Sequence, residues 1–180
     1  MSASDYLVGV NDEHGLKPPT EGKRTPVMPY LDRSIYENEF NRPAKQLTAI
    51  ALLRSGCRVF DLHPEISDVS VAVRVRRANY AGVNLLVTFA YNAFGSGRSF
   101  NNVRGVLTYY SEQSRYVSAS KELSEDLYMR ITEDSLQTTG RGVGTLTDVG
   151  VLRSVYCPSS LIEAGFMTNL REARLMIDPD

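Results

Sequence analysis

Short apolar runs alternate along this chain with segments of helical spacing, and that alternation restricts the fold more than any other feature. Tyr6–Asn11, Arg58–Leu62, Asn84–Ala90 and Gly105–Tyr110 read as strands. The third, Asn-Leu-Leu-Val-Thr-Phe-Ala, is apolar at successive positions, as a strand covered on both faces must be. Between the first two lies Glu37–Ser55, where Phe40, Ala44, Leu47, Ile50, Ala51 and Leu52 recur at helical spacing and Gly56 supplies a stop. Ser70–Tyr80 reads as a second helix with Val71, Val75 and Ala78 on one face, and Tyr116–Thr132 as a third. Gly140–Gly144 reads as a glycine loop, Val149–Arg153 and Ser159–Glu163 as two further strands, and Leu170–Met176 as the start of a last helix. The pattern predicts an α/β fold: a single domain over residues 1–180 with a mainly parallel central sheet of about six strands and helices on both faces. The chain stops just after Ile177-Asp178-Pro179-Asp180, which leaves room for a C-terminal truncation.

Composition narrows the function classes. The 180 residues carry a formal net charge of −1, which argues against an electrostatic nucleic-acid surface. No apolar run approaches the roughly 20 residues a membrane span needs. The N-terminal Met1-Ser2-Ala3-Ser4-Asp5 lacks the basic-then-apolar layout of a secretory signal, so the chain is expected to be cytoplasmic as made, unless it leaves by another route. Cys57 and Cys157 have no CxxC spacing and no histidine close in sequence, and are read as small buried residues.

Chemistry is suggested at three places. Glu163 ends an apolar run in Ser160-Leu161-Ile162-Glu163-Ala164-Gly165, where a buried carboxylate needs a partner or a task. Such strand ends are also where α/β enzymes place their chemistry. Asp12-Glu13-His14-Gly15 follows the first strand, and Glu37 opens the first helix, where an acid is favoured by the helix dipole in any case. The loop from Gly15 to Arg33, with four prolines and two glycines, is long enough to be functional.

The order of these pieces resembles the catalytic domain of zinc-dependent N-acetylmuramoyl-L-alanine amidases, the type 3 amidase family of cell-wall hydrolases and phage endolysins. The resemblance is carried by Asn11-Asp12-Glu13-His14-Gly15, Glu37-Asn38-Glu39-Phe40-Asn41 and Arg74-Val75-Arg76-Arg77-Ala78-Asn79. It continues through Leu86-Val87-Thr88-Phe89-Ala90-Tyr91-Asn92-Ala93, Gly105–Tyr110, Arg141-Gly142-Val143, Val151-Leu152-Arg153 and Ile162–Asn169. It implies a zinc held by His14 and Glu37 with a water in an open position, Glu163 as general base and acid, and Arg153 and Asn92 as substrate-binding groups. The implied substrate is peptidoglycan, cut at the amide between N-acetylmuramic acid and L-alanine, with action at the bacterial wall after release or export and a phage or prophage origin open.

The family's third ligand histidine falls on Ala90, which cannot coordinate a metal. His63, the other histidine of the chain, is the substitute considered, against the plainer reading of a solvated loop residue before Pro64. Glu39 and Tyr91 are further side chains near the site. Glu13, Leu107 and Gly144 also depart from the family pattern, where Gly, Glu and Lys are common. Two functions follow: a peptidoglycan amidase, adopted here as the class, or an inactive relative that binds peptidoglycan or a protein partner. Arg74, Arg76 and Arg77 are read as helix surface, and Tyr91, Tyr109 and Tyr110 as buried strand aromatics.

Overall fold

In the computed structural model, which describes residues 2–17, 22–134 and 139–178, six strands form one sheet. They are β1 (Leu7–Asp12), β2 (Arg58–Asp61), β3 (Leu85–Asn92), β4 (Val106–Tyr110), β5 (Gly140–Thr145) and β6 (Ser159–Phe166), in the order β2-β1-β3-β6-β4-β5. The first four in that order run parallel, β4 lies antiparallel to β6, and β5 returns parallel to β4. The C-terminal ends of β1, β3 and β6 therefore lie side by side at the middle of one sheet edge.

Helices cover both faces, as expected. On one face α1 (Asn38–Arg54) and α3 (Val117–Asp134) pack Ala44, Leu127 and Ile131 against Val87, Phe89, Val106 and Ile162. On the other, α2 (Val71–Ala81) and the single-turn α4 (Gly150–Arg153) bring Ala78 and Val151 against Leu62 and Leu86. A last short helix, α5 (Leu170–Leu175), starts where the Asn169 side chain accepts from the amides of Arg171 and Glu172. The helix stops are glycines in the left-handed region, Gly56 after α1 and Gly82 after α2.

Two element assignments are corrected. Gly140–Thr145 is a strand at the sheet edge rather than a loop. An edge strand has one neighbour and little side-chain packing, so its glycines weaken it less than they would in the middle. Val149–Arg153 is a helical turn with Val151 and Leu152 fully buried, not a strand. An apolar run of five residues fits either period. The residues around 18–21 of the long loop, and Pro179-Asp180 at the end, lie outside the described residues. The rest of that loop is built into the protein: Met28 and Ile35 are buried with Phe40 and Met167, and Arg24 pairs with Tyr36.

A charged cluster sits inside this frame. Asp12, at the end of β1, has no solvent contact. Its Oδ1 lies 2.8 Å from Lys45 Nζ of α1 and 3.1 Å from His63 Nδ1, and its Oδ2 accepts from Asn38 Nδ2 at 2.8 Å. Lys45 also donates to Asp61 Oδ1 and the His63 carbonyl, so β1, α1 and the end of β2 meet at one carboxylate. Arg74, expected on the surface of α2, is buried: it donates to Asn11 Oδ1, the Val69 and Asp12 carbonyls, and Asp68. A guanidinium with that many acceptors is stable inside because each of its three nitrogens donates.

Burial alone would raise the Asp12 carboxyl, but hydrogen bonds with His63 and Lys45, the Lys45 charge and the Asn38 amide outweigh it and hold it at about 2. The folded value lies below the ~3.9 of an unfolded chain, so this stabilisation of roughly 2–3 kcal/mol is whole above pH ~4 and is lost as pH falls through about 2. Acid unfolding followed by circular dichroism is expected to track that window. Asp12→Asn, which leaves Lys45 buried beside a neutral group, is expected to lower stability by about 3–5 kcal/mol in urea titrations and to flatten the acid limb.

Candidate functional site

The turn after β1 carries His14 in the left-handed region, at φ 60°. The Asn38 side-chain amide braces this turn: its Nδ2 donates to Asp12 Oδ2, to the Glu13 carbonyl at 3.2 Å and to the His14 carbonyl at 2.7 Å. Asn38 Oδ1 in turn accepts from Arg42 Nε, which orients the amide. Asn41 Nδ2 adds a bond to the Glu13 carbonyl at 3.1 Å. Gly15 has no room for a side chain, since a Cβ there would lie 2.2 Å from the Asp68 amide nitrogen. The strained turn is thus over-determined by α1 and the loop before α2, as strain at a site must be to persist.

Glu37, one residue before α1, is buried and faces this turn. Its Oε1 accepts from the Tyr91 amide at 3.2 Å and from Asn41 Nδ2 at 3.4 Å, and its Oε2 accepts from the Lys23 amide at 3.1 Å. His14 Nε2 stands 3.5 Å from Glu37 Oε2. Gly22 closes over the pair: a Cβ at this position, φ 77°, would come within 2.8 Å of the His14 ring.

Glu163 lies on β6 directly beside Ala90 of β3, with Leu107 of β4 on its other side. Immediately after it β6 bulges, since Ala90 to Asn92 spans three positions opposite Glu163 to Phe166. A bulge next to a functional strand end re-aims the side chain. Glu163 Oε2 is shut off from solvent and has no hydrogen-bond partner among the described residues. Burial first, and then the negative charge of Glu37, push its carboxyl up to about 8, against a smaller opposing pull from Lys23. Glu13 is placed similarly: its Oε1 is buried and has no hydrogen-bond partner among the described residues, and burial raises its carboxyl while His14 and Arg74 oppose the rise. Tyr109 is held up by burial and then by Glu163, which puts its phenol on the same cleft. Its ring lies against Gly144, where a Cβ would come within 2.8 Å.

The other sequence candidates separate. His63 is fully buried rather than solvated, with Nδ1 on Asp12 and Nε2 2.9 Å from the Ser67 carbonyl. It cannot join His14 and Glu37 without giving up one of these bonds. Glu39 is taken by Arg33 in a two-pronged ion pair. Tyr91 contributes its backbone to Glu37 but turns its ring onto Phe40, with centroids 5.4 Å apart. Asn92 Oδ1 accepts from the Ala93 amide. Arg153 lines a cavity of about 600 Å³ that also meets Glu13, Val71, Val75 and Asp148, and its guanidinium makes a long 3.5 Å approach to the Thr147 carbonyl. Cys157 is buried and pushed up to about 12 by that burial, as an inert core thiol should be. Sequence reading quoted Asn38 and Asn41 within the Glu37–Asn41 segment but gave them no role, and their amides position the histidine turn; an Asn in the first turn of a helix looks like an ordinary polar residue.

Two donors fit a divalent cation. Ligands on one tetrahedral zinc, at bonds of about 2.0–2.1 Å, lie ~3.3 Å apart, close to the 3.5 Å between His14 Nε2 and Glu37 Oε2. The buried carboxylate oxygens Glu13 Oε1 and Glu163 Oε2 have no hydrogen-bond partner among the described residues. Position 90 supplies none, and among the described residues no three His, Cys, Asp or Glu side chains are already drawn together around one point. No described helix is long and apolar enough to cross a membrane.

Comparison with known proteins gives the fold and the family. An endolysin of Bacillus phage SPP1 is 33% identical over 103 residues, which are 57% of this chain and 36% of that protein, so the chain spans about a third of its length. Among solved structures, an N-acetylmuramoyl-L-alanine amidase from Clostridium difficile 630 superposes with a TM-score of 0.80 at 24% identity, over 97% of this chain and 87% of that one. The amidase AmiC2 of Nostoc punctiforme superposes with a TM-score of 0.81 at 20% identity, over 99% and 89% of the two chains. At these identities the superpositions establish the fold. The family model described as N-acetylmuramoyl-L-alanine amidase matches residues 14–180, beginning at the histidine of the β1 turn, and the chain belongs to that family.

Proposed function

We propose that this chain is a peptidoglycan hydrolase that cuts the amide between the lactyl group of N-acetylmuramic acid and the L-alanine of the stem peptide. The observation that carries this reading is Glu163 in the C-terminal half of β6, whose buried Oε2 has no hydrogen-bond partner among the described residues and whose carboxyl feels the charge of Glu37 beside His14. A structural carboxylate in such a place would have been given a partner, because an unsatisfied buried acid is costly.

His14 and Glu37 would hold a zinc ion, which supplies an activated water and polarises the scissile carbonyl. The remaining work falls to the chain itself. Near neutral pH the raised Glu163 is mostly the acid, the form that can pass a proton to the leaving amine as the C–N bond breaks. In its deprotonated form the same carboxylate can accept the proton of the attacking water. Glu37 keeps one fixed orientation, because its Oε1 is tied to the Tyr91 amide and its Oε2 to the Lys23 amide. Arg153, with little to bind within the protein, faces the cavity next to Glu13 and is placed to receive a carboxylate of the stem peptide. Asn92 keeps its Nδ2 for the substrate while its Oδ1 closes the turn at Ala93.

The reading is tested by incubating the zinc-supplemented chain with purified cell walls and counting new alanine amino termini. Release is expected; its absence under a range of pH values and metal loads would sink the hydrolase. Glu163→Gln is expected to lower turnover by ~10²–10⁴-fold. The same change should stabilise the fold. The Glu163 value is raised above that of an unfolded glutamate, so its burial weakens the protein progressively as pH rises from ~4.5 through about 8. Glu163→Gln is therefore expected to gain about 2–4 kcal/mol at pH 8 and little at pH 5, read from paired urea titrations. Arg153→Ala is expected to raise KM about 10-fold with kcat nearly unchanged, as for loss of one charge-assisted contact.

A further inference from the structure

The cavity that Arg153 lines is bordered mainly by α2 and α4, and it carries charge of both signs around apolar side chains. Val71 and Val75 of α2 supply the apolar part. α4 sits flush on α2 because Gly150 has no side chain: a Cβ there would lie 2.6 Å from Val71 Cγ1. That contact fixes Arg153, on the same turn as Gly150, relative to the charges of α2. Of the three arginines of α2, Arg74 is buried on its acceptors, and Arg77 is taken by the Leu62 carbonyl and both carboxylate oxygens of Glu65. Arg76 is left over: it is exposed, lines the cavity, and has no ion pair or hydrogen bond to any described residue.

Two acids, Glu13 and Asp148, line the same cavity, and among the described residues neither forms an ion pair with Arg76 or Arg153. Glu13 connects the cavity to the candidate site. It precedes His14, its amide donates to the Phe89 carbonyl at 2.9 Å, and its Oε1 is buried with no hydrogen-bond partner among the described residues. Two charges of each sign thus border about 600 Å³ without pairing across it. Opposite charges that serve only the fold satisfy one another. Held apart around a hollow of small-ligand size, they match a group that carries both signs on an aliphatic stem. We propose that this cavity receives the third residue of the stem peptide and selects diaminopimelate, whose side chain ends in an ammonium and a carboxylate on one carbon, over lysine, which ends in the ammonium alone. Arg76 and Arg153 take the carboxylate, Asp148 and Glu13 the ammonium, and Val71 and Val75 the methylenes. Lysine leaves both guanidinium groups without an anion, which is the source of the discrimination. Two residues, L-alanine and D-glutamate, separate the third position from the bond to be cut. Extended, they span roughly 7 Å or more, enough to lead from beside His14 past Glu13.

This inference rests on the hydrolase reading above, but its test reads binding and not turnover. The full chain is titrated calorimetrically with three synthetic tripeptides: L-Ala-γ-D-Glu-meso-diaminopimelate, the same peptide amidated at the side-chain carboxylate, and L-Ala-γ-D-Glu-L-Lys. The first is expected to bind ~10-fold more tightly than the other two. Arg76→Gln is expected to remove most of that preference and leave the affinity for the lysine peptide unchanged. Asp148→Asn is expected to weaken all three peptides alike by ~3–10-fold, since each carries the ammonium. Both side chains are exposed, so the circular dichroism spectrum of each variant should match that of the wild type. Equal affinity for the diaminopimelate and lysine peptides overturns the proposal, as does a preference that survives both Arg76→Gln and Arg153→Gln, or an Asp148→Asn chain that binds all three as before. Failure of every peptide to bind overturns it too, and the hydrolase reading then rests on wall cutting alone. If the preference is found on a chain that cuts no wall, the cavity assignment stands and the hydrolase reading falls.

Discussion

The carboxylate of Asp12 has no water to meet, and Lys45, His63, Asn38 and Arg42 converge on it instead. Each partner comes from a different requirement of the fold. Lys45 ties the middle of α1 to the ends of β1 and β2, His63 anchors the chain leaving β2, and Asn38 fixes the turn that carries His14. Removing charge from the centre of such a cluster takes the shared acceptor from its partners and leaves Lys45 with Asp61 as its one carboxylate among the described residues, which is why the geometry of the candidate site depends on a residue one layer beneath it. His14 and Glu37 can stand 3.5 Å apart because Asn38 and Asn41, both on the first turns of α1, bond the backbone of the β1 turn.

At the other end of that turn the energetics run the opposite way. Glu13 and Glu163 are acids held near one another, and near Glu37, with too few partners. The cluster beneath supplies the stability that this arrangement costs. Strain and unsatisfied charge gather at the candidate site, and satisfied charge gathers one layer below. The β6 bulge after Glu163, the left-handed His14 and the close approach of Gly22 to the His14 ring belong to the same pattern: irregular backbone held in place by regular neighbours.

Much of this was legible in the chain. Apolar strands and amphipathic helices have periods that a sequence displays directly, and β1, β2, β3, β4 and β6 fall within a few residues of their expected bounds. The two exchanged elements failed for a physical reason. The glycines of β5 look like a loop because local propensity outweighs an edge pairing that only the finished sheet provides. The apolar turn α4 looks like a strand because five residues hold too little periodicity to choose. Arg74 and His63 misled in the same way: charged and polar types read as surface, whereas here each found enough acceptors to be buried whole.

The sequence by itself determined the composition of the site: a histidine after β1, an acid before α1, an acid at the end of β6, and an alanine at the end of β3. Those identities follow from residue type and order, and they place the chain in its family. What only the tertiary structure decided is which of these side chains share a space and which are already spoken for. His63 is engaged by Asp12, whereas Glu13 is left with an unanswered oxygen beside Ala90. Such facts depend on sheet register and on hydrogen-bond partners far apart in the chain, and no local pattern encodes either.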